Sequence, residues 1–242
     1  MLLVRSLAFS AAFYLTTALF VILGLPLLLA SRRTAMTAMA SHARCCLWLL
    51  RTINGTGMEV RGRENIPAAA ALIAAKHHST WETFALIPLL PDPAMVMKAE
   101  LGWIPLYGWF ALKFRHILVR RQRGPAALRG MIAEAHERAL DGRQIVIFPE
   151  GTRHSVGAPP DYKPGVLALY EGLGLPCVPV ALNSGVFWPR RSALRYRGTI
   201  VVEFLALIPP GLPRSEFRLE LETRIEEATA RLVAEGRATL AN

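Results

Sequence analysis

From Leu7 to Ala30 the chain reads LAFSAAFYLTTALFVILGLPLLLA, without a single charge. As one helix this run would be about 36 Å long, enough to cross a hydrocarbon core. The N-terminus is therefore expected to bind a membrane, and three arrangements compete. A cleaved leader fits worst, because the run is too long and no clear small-residue cleavage site follows it. A single spanning helix fits the length. So does a helix broken near Gly24 and Pro26 that dips into one leaflet, followed by an amphipathic helix at about 36–52. Arg5 precedes the run and Arg32 and Arg33 follow it, so the flanking positive charges set no orientation.

After Asn54–Gly57 the pattern changes to short alternating elements. GMEVRG, AALIAAK, AMVMK, HILV, QIVIF, VPVAL and TIVVEFLAL read as strands. Helical stretches lie between them at about 81–90, 103–113, 124–141 and 164–173, with a charged one from Arg214 to Glu235. Strands alternating with helices predict an α/β fold, a mostly parallel or mixed sheet covered by helices. The expected division is an N-terminal membrane-binding helical segment, 1–54, and an α/β domain, 55–242.

Composition narrows the partners. A chain of 242 residues with 52% hydrophobic residues is neither disordered nor collagen-like. A net charge of +10 asks for an anionic partner, nucleic acid or an acidic membrane surface. The chain lacks zinc-finger spacing, a basic heptad region and aromatic RNA-binding signatures, so no nucleic acid is expected. Cys45, Cys46 and Cys177 form no CxxC pair and read as apolar residues of a reducing compartment.

The stretch KHHSTWE, Lys76 to Glu82, follows a predicted strand and opens a predicted helix. Ser79 and Glu82 fit a capping box, which would account for both without any chemistry. His77 and His78 are left at the strand-to-helix turn, where α/β proteins commonly place ligands. A Glu82 carboxylate pointing back to His77 would fix its tautomer and make it a general base, though such a spacing also arises by chance. A metal set is weaker because adjacent histidines point apart, and Ser79 lacks the G-x-S-x-G elbow of a nucleophile.

Two further features follow. FPEGTR, Phe148 to Arg153, sits directly after a predicted buried strand, with Pro149 and Gly151 shaping a tight turn around Glu150. Between Ala111 and Gly130 lie Lys113, Arg115, Arg120, Arg121, Arg123 and Arg129, and no acid. Farther on, Phe187 and Trp188 beside Arg190 and Arg191 fit either an interfacial anchor or a partly buried aromatic pair.

Together these blocks resemble the glycerolipid acyltransferases over roughly 57–210. The first block of that family, Asn-His-x-Ser-x-x-Asp, is occupied by Lys76 to Glu82. Arg115 through Arg121 is similar to the next. The third, Phe-Pro-Glu-Gly-Thr-Arg, is matched residue for residue by 148–153, and the fourth by VPVAL around Pro179. This sequence departs from the pattern at Glu82 for Asp, Arg115 for Gly, Arg120 for a common acid and His78 for a frequent Gln.

The resemblance implies acyl transfer from a thioester, acyl-CoA or acyl carrier protein, to the sn-2 hydroxyl of 1-acylglycerol-3-phosphate (lysophosphatidic acid), giving phosphatidic acid. His77 and Glu82 would be catalytic. Arg121, Glu150, Gly151, Thr152 and Arg153 would bind substrate, the arginines holding phosphate and Glu150 a glycerol hydroxyl. No metal or cofactor is implied. Membrane localisation is expected, with the α/β domain on the cytoplasmic face. Another lysolipid acceptor, such as a lyso-ornithine lipid, and a non-catalytic lipid-binding relative are the alternatives.

Overall fold

The computed structural model describes residues 1–120 and 124–241, so Arg121, Gln122 and Arg123 lie outside it. Seven strands form one sheet: β1 (Thr56–Arg61), β2 (Ala71–Ala75), β3 (Pro93–Lys98), β4 (Ile117–Val119), β5 (Gln144–Ile147), β6 (Cys177–Leu182) and β7 (Gly198–Phe204). Their order is β1-β7-β6-β2-β5-β3-β4. Five strands, β6 through β4 in that order, run parallel; β7 turns antiparallel to β6 and carries β1 parallel to itself. The sheet is mixed, and the central pair β2–β5 is buried throughout. Such a strand reads as an unbroken apolar run because both of its faces are covered.

Successive side chains of each strand point to opposite faces. Ile73, Val146 and Val178 face one layer, and Leu72, Ile145 and Cys177 face the other. The latter layer consists of α5 (Pro125–Leu140), α6 (Pro164–Leu173) and α8 (Arg214–Ala241), which supply Met131, Leu169, Tyr170, Phe217 and Ile225. The former is built from the N-terminus. Helices α1 (Leu2–Leu23) and α2 (Arg32–Asn54) join through a 3-10 turn at Leu25–Leu28, where Pro26 breaks the helical ladder. Ser31 caps α2 by accepting the Thr34 N–H, and Gly55 ends it at φ 74.

The two helices pack along each other, with Arg5 Nε donating to the Ile53 carbonyl at 2.5 Å and Phe20 stacked on His42 at 4.6 Å. Ala43, Cys46 and Leu50 of α2 and Phe9 of α1 enter the core over the sheet. Phe9 and Phe13 meet Trp188 at 5.3 and 5.9 Å, and Phe13 meets Phe84 of α3 (Trp81–Ala85) at 5.5 Å. Phe187 and Trp188 are both buried, Trp188 against α1 and Phe187 beside Gly198 and Gly236, the latter of the two readings their sequence left open. The outward side of α1, including Leu3, Leu7, Leu15, Leu19 and Leu23, remains exposed.

Two predicted helices come out shorter for identifiable reasons. The one expected at 81–90 stops at Ala85 and continues as a 3-10 turn, Ile87–Leu89, because Pro88 has no N–H to donate. The one expected at 103–113 starts only at Tyr107, as α4 (Tyr107–Lys113), behind Pro105 and a Leu106 held at φ 65.

Arg143, fully buried just before β5, holds the end of this layer. Its Nη2 donates to the Pro93 and Phe114 carbonyls, Nη1 to the Arg115 carbonyl and Nε to Asp92, which also takes both Nη atoms of Arg32 at 2.7 Å. Burial lowers its pKa to about 10, so it stays charged at neutral pH. Replacing it with Leu would take this donor from the Pro93 and Phe114 carbonyls and from Asp92, and leave the Arg115 carbonyl to Arg138 Nε. We expect Arg143→Leu to cost about 3–5 kcal/mol, read as a lower melting temperature in detergent; melting with the wild type would contradict this role.

Candidate active site

Strands β2 and β5 end side by side at the carboxyl edge of the parallel strands, and the chain turns there twice. The first turn, Lys76 to Thr80, leads into α3; the other, Phe148 to His154, follows β5. They grip each other through the backbone. The His154 N–H donates to the His77 carbonyl at 2.8 Å, and the His77 N–H donates to Glu150 Oε2 at 3.2 Å. Gly151 takes φ 66, a conformation that suits glycine, as its N–H closes the FPEGTR turn on the Phe148 carbonyl.

Glu82 makes both contacts foreseen for it. Its Oε1 accepts the Ser79 N–H at 2.6 Å, as a capping box requires, and lies 2.9 Å from His77 Nδ1. Ser79 Oγ in turn accepts the Trp81 N–H at 3.2 Å. The other carboxylate oxygen, Oε2, accepts from Ser184 Oγ at 2.8 Å. Glu82 has no exposed surface, so every one of these bonds offsets the cost of burying its charge.

His77 is half-buried, and its ring stacks on Phe148 at 4.1 Å. With Nδ1 on the carboxylate, Nε2 makes no hydrogen bond to any described residue. Arg153 is exposed beside it and donates Nη1 to Thr80 Oγ1 at 2.6 Å; Thr152 is exposed as well.

Glu150 departs from the expectation. Read as a ligand for a glycerol hydroxyl, it is fully buried, with Oε1 on Lys76 Nζ at 2.8 Å and Oε2 on the His77 N–H. Both oxygens face inward, and the carboxylate fixes the His77 backbone. Arg121, expected to hold phosphate, lies outside the described residues.

Several contributors carried no readable signal. Lys76 is 2% exposed and bridges Glu150 and Glu226, whose oxygens sit 2.7 and 2.9 Å from its Nζ. Tyr162 also donates to Glu226, at 3.0 Å. Glu226 stands on α8, 150 residues from Lys76, among many similar surface charges. Ser184 lies just past β6 in the short helix α7 (Ser184–Phe187), so the apolar fourth block delivers the hydroxyl that holds Glu82. The signal there was the block itself, not the serine.

The fold and site define an α/β protein with a histidine–carboxylate pair at the carboxyl edge of its sheet. A family model described as Acyltransferase matches residues 57–183, more than half the chain, and the chain belongs to that family. A 1-acyl-sn-glycerol-3-phosphate acyltransferase of Pseudomonas aeruginosa is 39% identical over 159 residues, covering 66% of this chain and 62% of that protein. One from Saccharomyces cerevisiae is 28% identical over 168 residues, covering 67% and 55%. The chain thus spans less than two thirds of the length of these relatives. The crystal structure of the 1-acyl-sn-glycerophosphate (LPA) acyltransferase PlsC from Thermotoga maritima shares the fold, with a TM-score of 0.79 over 96% of this chain and 98% of that one, at 22% identity.

His78, beside the dyad, points the other way. It is 2% exposed, its Nδ1 has no partner, and burial lowers its pKa to about 4. Between the ordinary histidine value and pH 4 the unfolded chain takes a proton that the folded chain refuses. Stability is therefore full above about pH 6.5 and falls as pH drops through that window, by on the order of 3 kcal/mol. Buried His116, lowered to about 3, adds in the same direction. His78→Gln should flatten the loss measured by unfolding between pH 7 and 4; an unchanged slope would contradict it.

Proposed function

We propose that this chain transfers a fatty acyl group from a thioester to the sn-2 hydroxyl of 1-acylglycerol-3-phosphate, giving phosphatidic acid. The observation that carries the reading is the His77–Glu82 pair. A carboxylate at 2.9 Å from Nδ1 favours the tautomer with the proton on Nδ1, which leaves Nε2 as a base on the accessible side of the ring. The relatives it matches are named for this acceptor.

In this mechanism His77 Nε2 takes the proton of the sn-2 hydroxyl as its oxygen attacks the thioester carbonyl. The tetrahedral intermediate expels the thiolate, which takes that proton back from the imidazolium, so ester and free thiol are the products. Glu82 stabilises the imidazolium between the two steps and does not itself change protonation. Arg153 offers a planar donor fork to the acceptor's phosphate from the rim of the same turn. Glu150 contributes by holding the His77 backbone through its inward oxygens.

The membrane role falls to α1. It is long and apolar enough to cross a bilayer. Yet one side of it lies on its own domain through Phe9, Phe13 and Ser6, which supports lying within one leaflet over spanning. The acceptor and product both reside in the bilayer, so a catalytic domain seated on the cytoplasmic surface would meet them without extracting them. An acyl-CoA or acyl carrier protein donor, each anionic, suits a chain of net charge +10.

We expect His77→Ala to lower kcat by about 10²–10⁴ with the fold intact by circular dichroism; full activity would remove His77 from the chemistry. Arg153→Ala should raise KM for lysophosphatidic acid well above any change for the acyl donor. Equal effects on both substrates would place Arg153 elsewhere.

A further inference from the structure

One surface of the α/β domain exposes several large apolar side chains close together. Trp103, Ile104, Tyr107, Trp109 and Leu112 fall within ten residues and are each 40–67% exposed. Single exposed apolar residues are ordinary on soluble proteins, but five large ones on one short segment mark a contact surface.

The segment is built rigidly. Leu106 adopts φ 65 and ψ −54, with the Tyr107 N–H donating to the Pro105 carbonyl at 2.7 Å across it. This is a γ-turn that a side-chain-bearing residue seldom accepts. Gly108 lies so close to Gly102 that a Cβ on it would come within 2.0 Å of the Gly102 carbonyl oxygen. The turn thus holds the aromatic residues outward.

Its position indicates what it meets. Phe110 on the inner side of α4 and Phe114 just past its end cluster with Met36, Val21, Leu27 and Leu28, with Phe110 5.9 Å from Phe20. The outer side chains Trp109 and Leu112 therefore continue the surface that α1 and its following turn expose at Ile22, Leu23 and Leu29. Charge is arranged around the rim. The Arg120 guanidinium stands 5.7 Å over the Trp103 ring, Lys98 is exposed, and Lys113 ends α4; Glu100 is the one acid of the segment. Tryptophan at the apolar boundary with cations just above it is the arrangement that suits a phospholipid headgroup layer.

We propose that residues 103–112 form a further membrane-contacting element, a wedge that enters an anionic phospholipid leaflet beside α1. Strands β3 and β4 run parallel to β2, so Lys98 and Arg120 leave the sheet on the same edge as His77. Contact at α1 alone leaves the domain free to roll about that helix. An added contact at the wedge stops the roll and turns the His77 edge toward the headgroups. This proposal rests on the membrane reading of α1 given above.

The test uses the purified full chain with vesicles of phosphatidylcholine and phosphatidylglycerol, with and without brominated acyl chains. Wild-type tryptophan emission should be quenched by the brominated lipid. Trp103→Phe with Trp109→Phe should bind the vesicles as before and lose much of that quenching. Ile104→Glu with Leu112→Glu should bind about tenfold more weakly or worse, while its circular dichroism stays native. Quenching unchanged in the double Phe variant, with vesicle binding intact, would overturn the wedge and leave the α1 anchor standing. A wild-type chain that ignores vesicles would overturn both. Unaltered vesicle binding by the double Glu variant, together with loss of a dimer seen by light scattering, would assign the face to another copy of the chain instead.

Discussion

Everything at the site depends on how one buried carboxylate distributes its bonds. Glu82 gives Oε1 to the His77 imidazole and the Ser79 N–H, and Oε2 to the Ser184 hydroxyl. A charge with no exposed surface is tolerated only where such bonds replace water. The same bonds start helix α3, orient the ring of His77 and link the end of β6 to the turn after β2. A glutamate is one methylene longer than the aspartate common at this position, and here the capping bond to Ser79 brings its oxygen back within reach of Nδ1. The capping contact and the contact to His77 are a single geometry.

Another buried cluster holds the backbone under that geometry. Lys76 bridges Glu150 and Glu226, and Glu150 passes the constraint to the His77 N–H. Three segments far apart in sequence, the β2 turn, the FPEGTR turn and α8, converge on one ammonium group. Removing one partner from such a cluster would leave an uncompensated buried charge, which is why its members act as a set. The rigidity this confers suits the role proposed for His77, a base that must meet a hydroxyl in a defined direction.

The sequence was legible where a local pattern decides the outcome. Strands such as Gln144–Ile147, the helix at Pro164–Leu173 and the break at Gly24–Pro26 follow from runs, caps and prolines read within a few residues. It was illegible where partners are distant. Nothing local separates Glu226 from the other acids of α8, or indicates that Glu150 turns inward to a lysine rather than outward to substrate. The uncharged run at Leu7–Ala30 predicted a membrane segment, and its exposed side fits that. Its alphabet could not tell that Phe9 and Ser6 face Trp188 and Arg195, because a helix that covers a sheet and one that lies in lipid are both apolar. The wedge at 103–112 was hidden for a similar reason: Trp103 and Trp109 read as parts of one helix until Pro105 and Leu106 divide it.

The central claim is that Glu82 keeps the His77 proton on Nδ1 and leaves Nε2 as the base. Nitrogen-15 spectra of histidine-labelled protein near neutral pH, assigned with His77→Gln, report which ring nitrogen carries the proton. The account predicts the Nδ1–H tautomer for His77, with Nε2 at the shift of an unprotonated nitrogen. A His77 ring protonated on Nε2 alone would contradict it, because no lone pair would remain on the accessible side to accept a hydroxyl proton.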